Sequence, residues 1–223
     1  MSLVLPNTFA CTTRTALLDG AVPTDFSHLA QHSLPELVRQ QLTSVRRFLV
    51  SVSRVRSSVT ADRSIDFTET LIKIPVRFGQ ENYLFPVVTY VDHEYSLIRG
   101  FLLGFHKLFA AEAHDPVLPM VTLPGVDLDL RDEGPEAQTA HALPPEQGWP
   151  FLLWTDYAVS DARSRGWRTL EVEQYARTQL TFLQCARSEQ VIGGEKATVR
   201  GLYEATDEFV VVGTRALSAS SLK

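Results

Sequence analysis

Apolar and polar residues alternate most regularly from Thr70 to Phe78. Ile72, Ile74, Val76 and Phe78 fall on one parity, and Leu71, Lys73, Pro75 and Arg77 on the other. A two-residue period predicts a strand with one dry face. Gly79-Gln-Glu-Asn82 supplies a turn, and Tyr83 to Val91 predicts the returning hairpin strand, with Pro86 marking an edge or a bulge. Residues 45–59 alternate in part, with Phe48, Val50 and Val52 opposed to Arg47, Leu49, Ser51 and Ser53, and four arginines (Arg46, Arg47, Arg54, Arg56) fit a solvated face. Pro6 to Ala21 favours extended structure closed by Asp19-Gly20. Residues 117–130 suggest one or two strands broken at Pro124-Gly125, and Phe151 to Tyr157 a short one. From Thr169 to Leu183 helix and strand spacing both fit, and strand is the preferred reading. After a turn at Gly193-Gly194, Lys196 to Tyr203 and Glu208 to Leu217 predict a closing pair of strands.

Helices are fewer. Thr24 or Asp25 can cap a short one through Phe26, Leu29 and Ala30, and Ser33 a second through Leu34-Pro35-Glu36-Leu37. Asp92 can cap a longer helix from about His93, on which Gly100, Leu103 or Gly104, Lys107 and Ala111 would share one line. Without a proline near Lys107 that helix either continues through it or ends at Gly104. The predicted fold is therefore α+β and mainly β, an antiparallel closed barrel or cone of about eight to ten strands with one long helix and short N-terminal helices. One domain is expected over residues 1–223, with residues 131–148, rich in Pro, Glu and Ala, as a mobile loop.

Composition narrows the function. With 44% apolar and 21% charged residues the chain can build a full core, and its net charge of -5 speaks against a nucleic-acid partner. The start, Met1 to Pro6, lacks a basic signal-peptide region, and no apolar run is long enough for a membrane helix, so a soluble, cytoplasmic protein is expected. Cys11 and Cys185 read as two idle thiols, and His93, His106, His114 and His141 have no zinc spacing, so no metal or cofactor is expected.

The chemistry centres on the apolar run from Leu97 to Ala111, which holds Lys107 among Leu102, Leu103, Phe105, Leu108 and Phe109. An amine is nucleophilic only when neutral, and burial in apolar surroundings favours the neutral form. The plainer alternative is a lysine that packs its stem and reaches its ammonium to water.

Tyr90-Val-Asp92, followed by Arg99-Gly-Phe-Leu-Leu-Gly104-Phe-His-Lys107, resembles the signature of the acetoacetate decarboxylase family. There a Tyr-x-Asp strand end leads into a small-residue helix and Gly-(Phe/Tyr)-Pro-Lys-Lys, whose first lysine forms a Schiff base. Phe67-Thr68-Glu69 ahead of Ile74-Pro75-Val76 is similar to the family's Tyr-Thr-Glu and Ile-Pro-Val, and Pro23-Thr24-Asp25 with Leu34-Pro35-Glu36-Leu37 echoes its early Arg-Thr-Asp helix and Pro-Glu-Pro-Leu turn. The similarity is good over about residues 60 to 112.

The resemblance implies a cone-shaped barrel and a homo-oligomer acting on a keto acid or related ketone. It assigns Lys107 as the nucleophile, Glu69 as acid/base or orienting group, and Arg14 as the position of the substrate-carboxylate arginine. Arg99, Phe105 and Leu108 flank the lysine as further substrate-binding candidates. Two residues depart from the pattern. His106 replaces the proline, as a packing histidine or an extra proton carrier. Leu108 replaces the second lysine, leaving desolvation to activate the first. The family's second glutamate has no counterpart in residues 45–59. Decarboxylation is the leading expectation. The same imine would serve aldol addition, dehydration or cyclisation, and a barrel that binds its ligand without covalent chemistry is the remaining alternative.

Overall fold

The regular alternation becomes the backbone of one large sheet. In a computed structural model, residues 6–22, 36–110, 120–123, 126–134, 143–155, 166–192 and 194–217 are described. Strands β1 (Asn7–Asp19), β2 (Arg47–Ser58), β3 (Ser64–Phe78) and β4 (Glu81–Val91) are successive antiparallel neighbours. Helix α1 (Glu36–Leu42) lies between β1 and β2 in the chain. It realises the end of the helix expected from Ser33; the helix expected at Thr24 or Asp25 lies outside the described residues.

After β4 comes helix α2 (Glu94–Leu103), capped by the His93 side chain, which accepts from the Tyr95 amide, rather than by Asp92. It ends at Gly104, whose φ of 101° is open to glycine at little cost. Lys107 therefore leaves the helix, and the expected helical line from Gly100 to Ala111 is not formed. Lys107 instead begins β5 (Lys107–Phe109), which runs parallel to β4 with Lys107 opposite Thr89.

Strands β6 (Met120–Leu123), β7 (Val126–Asp129), β8 (Leu152–Thr155), β9 (Gly166–Leu183) and β10 (Glu189–Ile192) follow. The last, β11 (Glu195–Ala216), is one strand where two were expected. Residues 204–207, left between the two expected strands, continue the ladder, with Asp207 facing inward to Tyr175 and Arg177 and register shifts on the β9 edge absorbing the irregularity. On one edge β11 pairs with β1; on the other it meets first β10 and then β9.

The sheet runs β5-β4-β3-β2-β1-β11-β10-β7-β6, with β9 and β8 branching from β11. Among the described residues its ends do not join through a ladder. The segment leading into β8 meets β4 at a bridge between Leu84 and Phe151, and the sheet is strongly curled and open, not the closed barrel expected. Eleven strands are formed by the described residues, one more than the sequence suggested.

The two faces have different fates. Ala16, Leu18, Phe48, Val50, Ile72, Ile74, Val76 and Phe78 pack with Tyr83, Phe85, Val88 and Tyr90 into the main core. Residues of the other parity on β1, β2 and β3 turn into a cavity. A register shift between Ile72 and Lys73, with Pro86 opposite Lys73, realises the bulge foreseen at Pro86 and keeps both Val87 and Val88 fully buried. No helix among the described residues is long and apolar enough to cross a membrane.

Candidate active site

Alternation builds the cavity wall. Phe9, Cys11 and Thr13 on β1, Ser51, Ser53 and Val55 on β2, and Phe67, Glu69, Leu71 and Lys73 on β3 all point into a space of about 820 Å³. Asp207, Phe209 and Val211 on β11 and Leu170, Val172, Tyr175 and Arg177 on β9 close the far side. The segment 143–151 covers one end. Part of the expected mobile loop is therefore a wall: Pro145–Gly148 forms a short 3-10 turn, Gln147 is bonded to the Tyr203 hydroxyl, and Leu84 donates to the Pro150 carbonyl at 3.0 Å. Residues 135–142 of that loop lie outside the described set.

Lys107 is the focus of the wall. It is 9% exposed, and its Nζ donates to Glu69 Oε2 at 2.7 Å and to Ser96 Oγ at 3.1 Å. The Phe67 and Phe105 rings lie 5.8 and 5.9 Å from the same nitrogen. A Cβ on Gly100 would stand 2.0 Å from Lys107 Cε and 2.4 Å from Cδ, so only glycine admits the lysine stem across the helix. Arg99, buried beside it, donates to Ser57 Oγ at 2.9 Å and lies 4.7 Å from the centre of the Phe9 ring; burial pulls its guanidinium below its ordinary range.

The remaining expected site residues go elsewhere. Arg14 is not in the cavity. Being one residue out of parity with Thr13, it turns to the other face, where it pairs with Glu204 at 2.7 Å and donates to the Leu130 carbonyl at 3.0 Å. Leu108 turns from the cavity to pack against the main core. His106 also lies off the cavity lining. Its Nε2 is buried with no hydrogen-bond partner among the described residues, and burial lowers its pKa.

Three features escape the sequence reading. Ser96 reaches Lys107 from one helical turn before Gly100. Asp207, Arg177 and Tyr175 form a bonded group at another part of the wall, with Arg177 Nε donating to Asp207 at 2.7 Å and the Tyr175 hydroxyl at 2.8 Å. Lys73 is 6% exposed, faces the cavity, and has no hydrogen-bond partner among the described residues; its ammonium sits 5.9 Å from the Phe151 ring centre. Burial pushes its pKa down to about 8, against the pull of Glu69. Its shared parity with Glu69 was the available signal. Cys11 also lines the cavity, and burial, with the Glu69 and Asp207 charges, pushes its thiol up to about 12, so it is no nucleophile near neutrality.

Comparison with known proteins bears on this arrangement. A family model described as Acetoacetate decarboxylase (ADC) matches residues 27–123, a span containing Glu69, Ser96, Gly100 and Lys107. No curated protein sequence matches the chain. Among solved structures, the chain is similar to an acetoacetate decarboxylase-like enzyme from Sphingomonas wittichii RW1, with a TM-score of 0.61 and 14% identity over 97% of this chain and 95% of that one. It is also similar to the enduracididine biosynthesis enzyme MppR complexed with pyruvate, with a TM-score of 0.62 and 13% identity over 99% and 93% of the two chains. Acetoacetate decarboxylase from Legionella pneumophila subsp. pneumophila str. Philadelphia 1 aligns with a TM-score of 0.55 and 11% identity over 96% and 88%. At these identities the structural likeness speaks for the fold.

Proposed function

Since this chain is a divergent member of the acetoacetate decarboxylase-like family, and Lys107, Glu69 and Ser96 meet on one cavity wall, we propose that it is a Schiff-base-forming lyase acting on a keto acid or related ketone. The observation that carries this reading is the 2.7 Å contact between Lys107 Nζ and Glu69 Oε2 on the wall of a half-open, largely apolar cavity. An acceptor at that distance can take the ammonium proton and release the neutral amine.

The steps follow from these groups. Glu69 takes a proton from Lys107, and the amine attacks the ketone carbon. The carbinolamine oxygen leaves as water after proton return from Glu69, and the protonated imine remains. That imine accepts the electron pair as the bond to a β-carboxylate breaks and carbon dioxide departs. Protonation of the enamine carbon and hydrolysis release the product ketone and restore the amine. Ser96 orients the nitrogen. Arg99 is the cavity cation beside the lysine that suits the departing carboxylate, a role for which Arg14 lies on the wrong face. Activation here relies on proton transfer to Glu69, because Leu108 supplies no neighbouring charge.

The MppR structure in the comparison holds pyruvate. A cavity of about 820 Å³ is far larger than a three- or four-carbon acid needs. That volume favours a bulkier substrate, for which the same imine would also support aldol, dehydration or cyclisation steps. We expect a cytoplasmic homo-oligomer, for which the exposed apolar side chains Ile98 and Phe109 are candidate contacts.

Borohydride trapping tests the proposal. The protein is incubated with acetoacetate, pyruvate or a longer β-keto acid, reduced, and mapped by mass spectrometry alongside Lys107→Ala. An adduct on Lys107 that disappears in the variant is the expected result. A folded protein that traps no ketone would leave the non-covalent binding barrel as the better account.

A further inference from the structure

The cavity carries more positive charge than its chemistry at Lys107 uses. Among the described lining residues, Lys73, Arg99, Lys107 and Arg177 stand against two carboxylates, Glu69 and Asp207, in a chain whose net charge is -5. Glu69 is taken by Lys107 and Asp207 by Arg177. Arg99 has the Ser57 hydroxyl and two aromatic rings. Lys73 has no ion pair or hydrogen bond of this kind among the described residues. Its ammonium faces the lumen, which Leu71, Leu84 and Phe151 also line, and lies 5.9 Å from the centre of the Phe151 ring.

An unpaired buried cation is costly, and a sequence free to place leucine or methionine there would be more stable. The backbone is also shaped around the residue. The register shift between Ile72 and Lys73 places the proline ring of Pro86, which has no N–H, opposite Lys73. Lys73 is four residues beyond Glu69 on the same strand face, a separation of about 13 Å between backbones by strand rise. Phe105 and Phe151, packed edge to face with centroids 5.7 Å apart, link the two ammonium groups by a chain of contacts. Lys107 is 5.9 Å from the first ring and Lys73 5.9 Å from the second. The cavity thus has an amine at one position, an apolar aromatic stretch, and a bare cation beyond it.

We infer that Lys73 is a carboxylate-binding residue, and that the substrate carries a carboxylate remote from its ketone, separated from it by an apolar spacer that lies along Phe105 and Phe151. The substrate assignment rests on Lys107 as the carbonyl-binding amine; the anion-binding role of Lys73 does not. The ammonium donates to the carboxylate oxygens, and the pairing relieves the buried charge on both sides. Lys73 acts in positioning and selection, not at the reacting carbon.

Two arms separate the claims. In the first, binding of octanoate and of octanamide is measured by calorimetry at pH 7 to the wild type, Lys73→Met and Lys73→Arg. Octanoate is expected to bind the wild type more tightly than octanamide. Lys73→Met is expected to weaken octanoate about tenfold or more, the scale of a charge-assisted hydrogen bond, and to leave octanamide unchanged. Lys73→Arg keeps the preference for the acid and guards against a trivial packing effect. No octanoate binding, equal affinities for acid and amide, or an unchanged Lys73→Met overturns the role of Lys73.

In the second arm, borohydride trapping on Lys107 is titrated with acetone, pyruvate, levulinate and straight-chain oxo acids of increasing spacer length. One of the longer acids should half-saturate at the lowest concentration, and Lys73→Met should raise that value about tenfold while leaving acetone and pyruvate unchanged. A flat series, or an adduct mapped to Lys73 itself, overturns the substrate assignment. If no ketone is trapped while octanoate still binds through Lys73, the lyase reading fails and the anion site stands.

Discussion

Lys107 Nζ and Glu69 Oε2 lie 2.7 Å apart although they belong to strands that are not neighbours. They meet because β5 turns back parallel to β4, which in turn lies beside β3, and because Gly100 lets the lysine stem pass. Their side chains are 7% and 20% exposed, so the pair is largely dry. Removing either partner strands the other charge. Glu69→Leu or Lys107→Met alone should cost about 3 kcal/mol, and the double variant less than the sum of the two. Urea unfolding of all four proteins measures this, and additive losses would mean that the contact is not a coupled ion pair.

Gly100→Ala separates stability from chemistry. Alanine favours the helix by about 1 kcal/mol over glycine, while its Cβ would collide with the Lys107 stem. The helix should persist by circular dichroism, and trapping at Lys107 should fall on the order of a hundredfold, as expected for a displaced reacting group. Undiminished trapping would show that the amine reaches its substrate by another route.

Lys73 makes stability depend on pH in a defined direction. Burial holds its folded pKa at about 8, below the ordinary 10.5. Between those values the unfolded chain binds a proton that the folded chain does not, so this residue's contribution to stability rises with pH across the window and its full penalty acts below about pH 8. Lys73→Met should therefore be more stable than the wild type by about 3 kcal/mol at pH 7, with the advantage shrinking towards pH 10. Denaturation at pH 7 and pH 10 reads the difference; a constant gap would assign the gain to packing.

His106 acts at the other end of the scale. Its folded pKa is lowered by burial, so acidification through about 6.5 protonates the unfolded chain first and removes stability. His106→Phe should flatten the loss of melting temperature between pH 7 and pH 5 while leaving adduct formation on Lys107 intact. A loss of trapping in that variant would instead make His106 a participant in proton transfer.

Much of the fold around this site was legible because apolar and polar residues alternate along β3, which placed Ile72, Ile74, Val76 and Phe78 in the core correctly. The motif drew attention to Lys107. The helical line of glycines read beside it is not formed, although Gly100 does make room for the lysine stem from across the helix end. What alternation could not reveal is whether the opposite face meets water. Lys73, read from sequence only as lying on the parity opposite the dry face, meets Phe151 some eighty positions later. Arg14 failed for a narrower reason: a one-residue offset in a strand sends a side chain to the other face. The helix end at Gly104 was one of two readings, and only the parallel pairing of β5 decides between them.

The long β11 gives this cavity a history as well as a shape. Phe9 stands opposite Phe209 and Cys11 opposite Asp207, contacts between residues about two hundred positions apart. Ladder pairing across such a separation requires an early search over nearly the entire chain, which slows folding. During synthesis, the wall carrying Phe9, Cys11 and Thr13 waits beside β2 with one edge unpaired until the ribosome has released β11. The cavity wall is complete only once β11 pairs with β1, and until then the free edge of β1 is open to pairing with another strand.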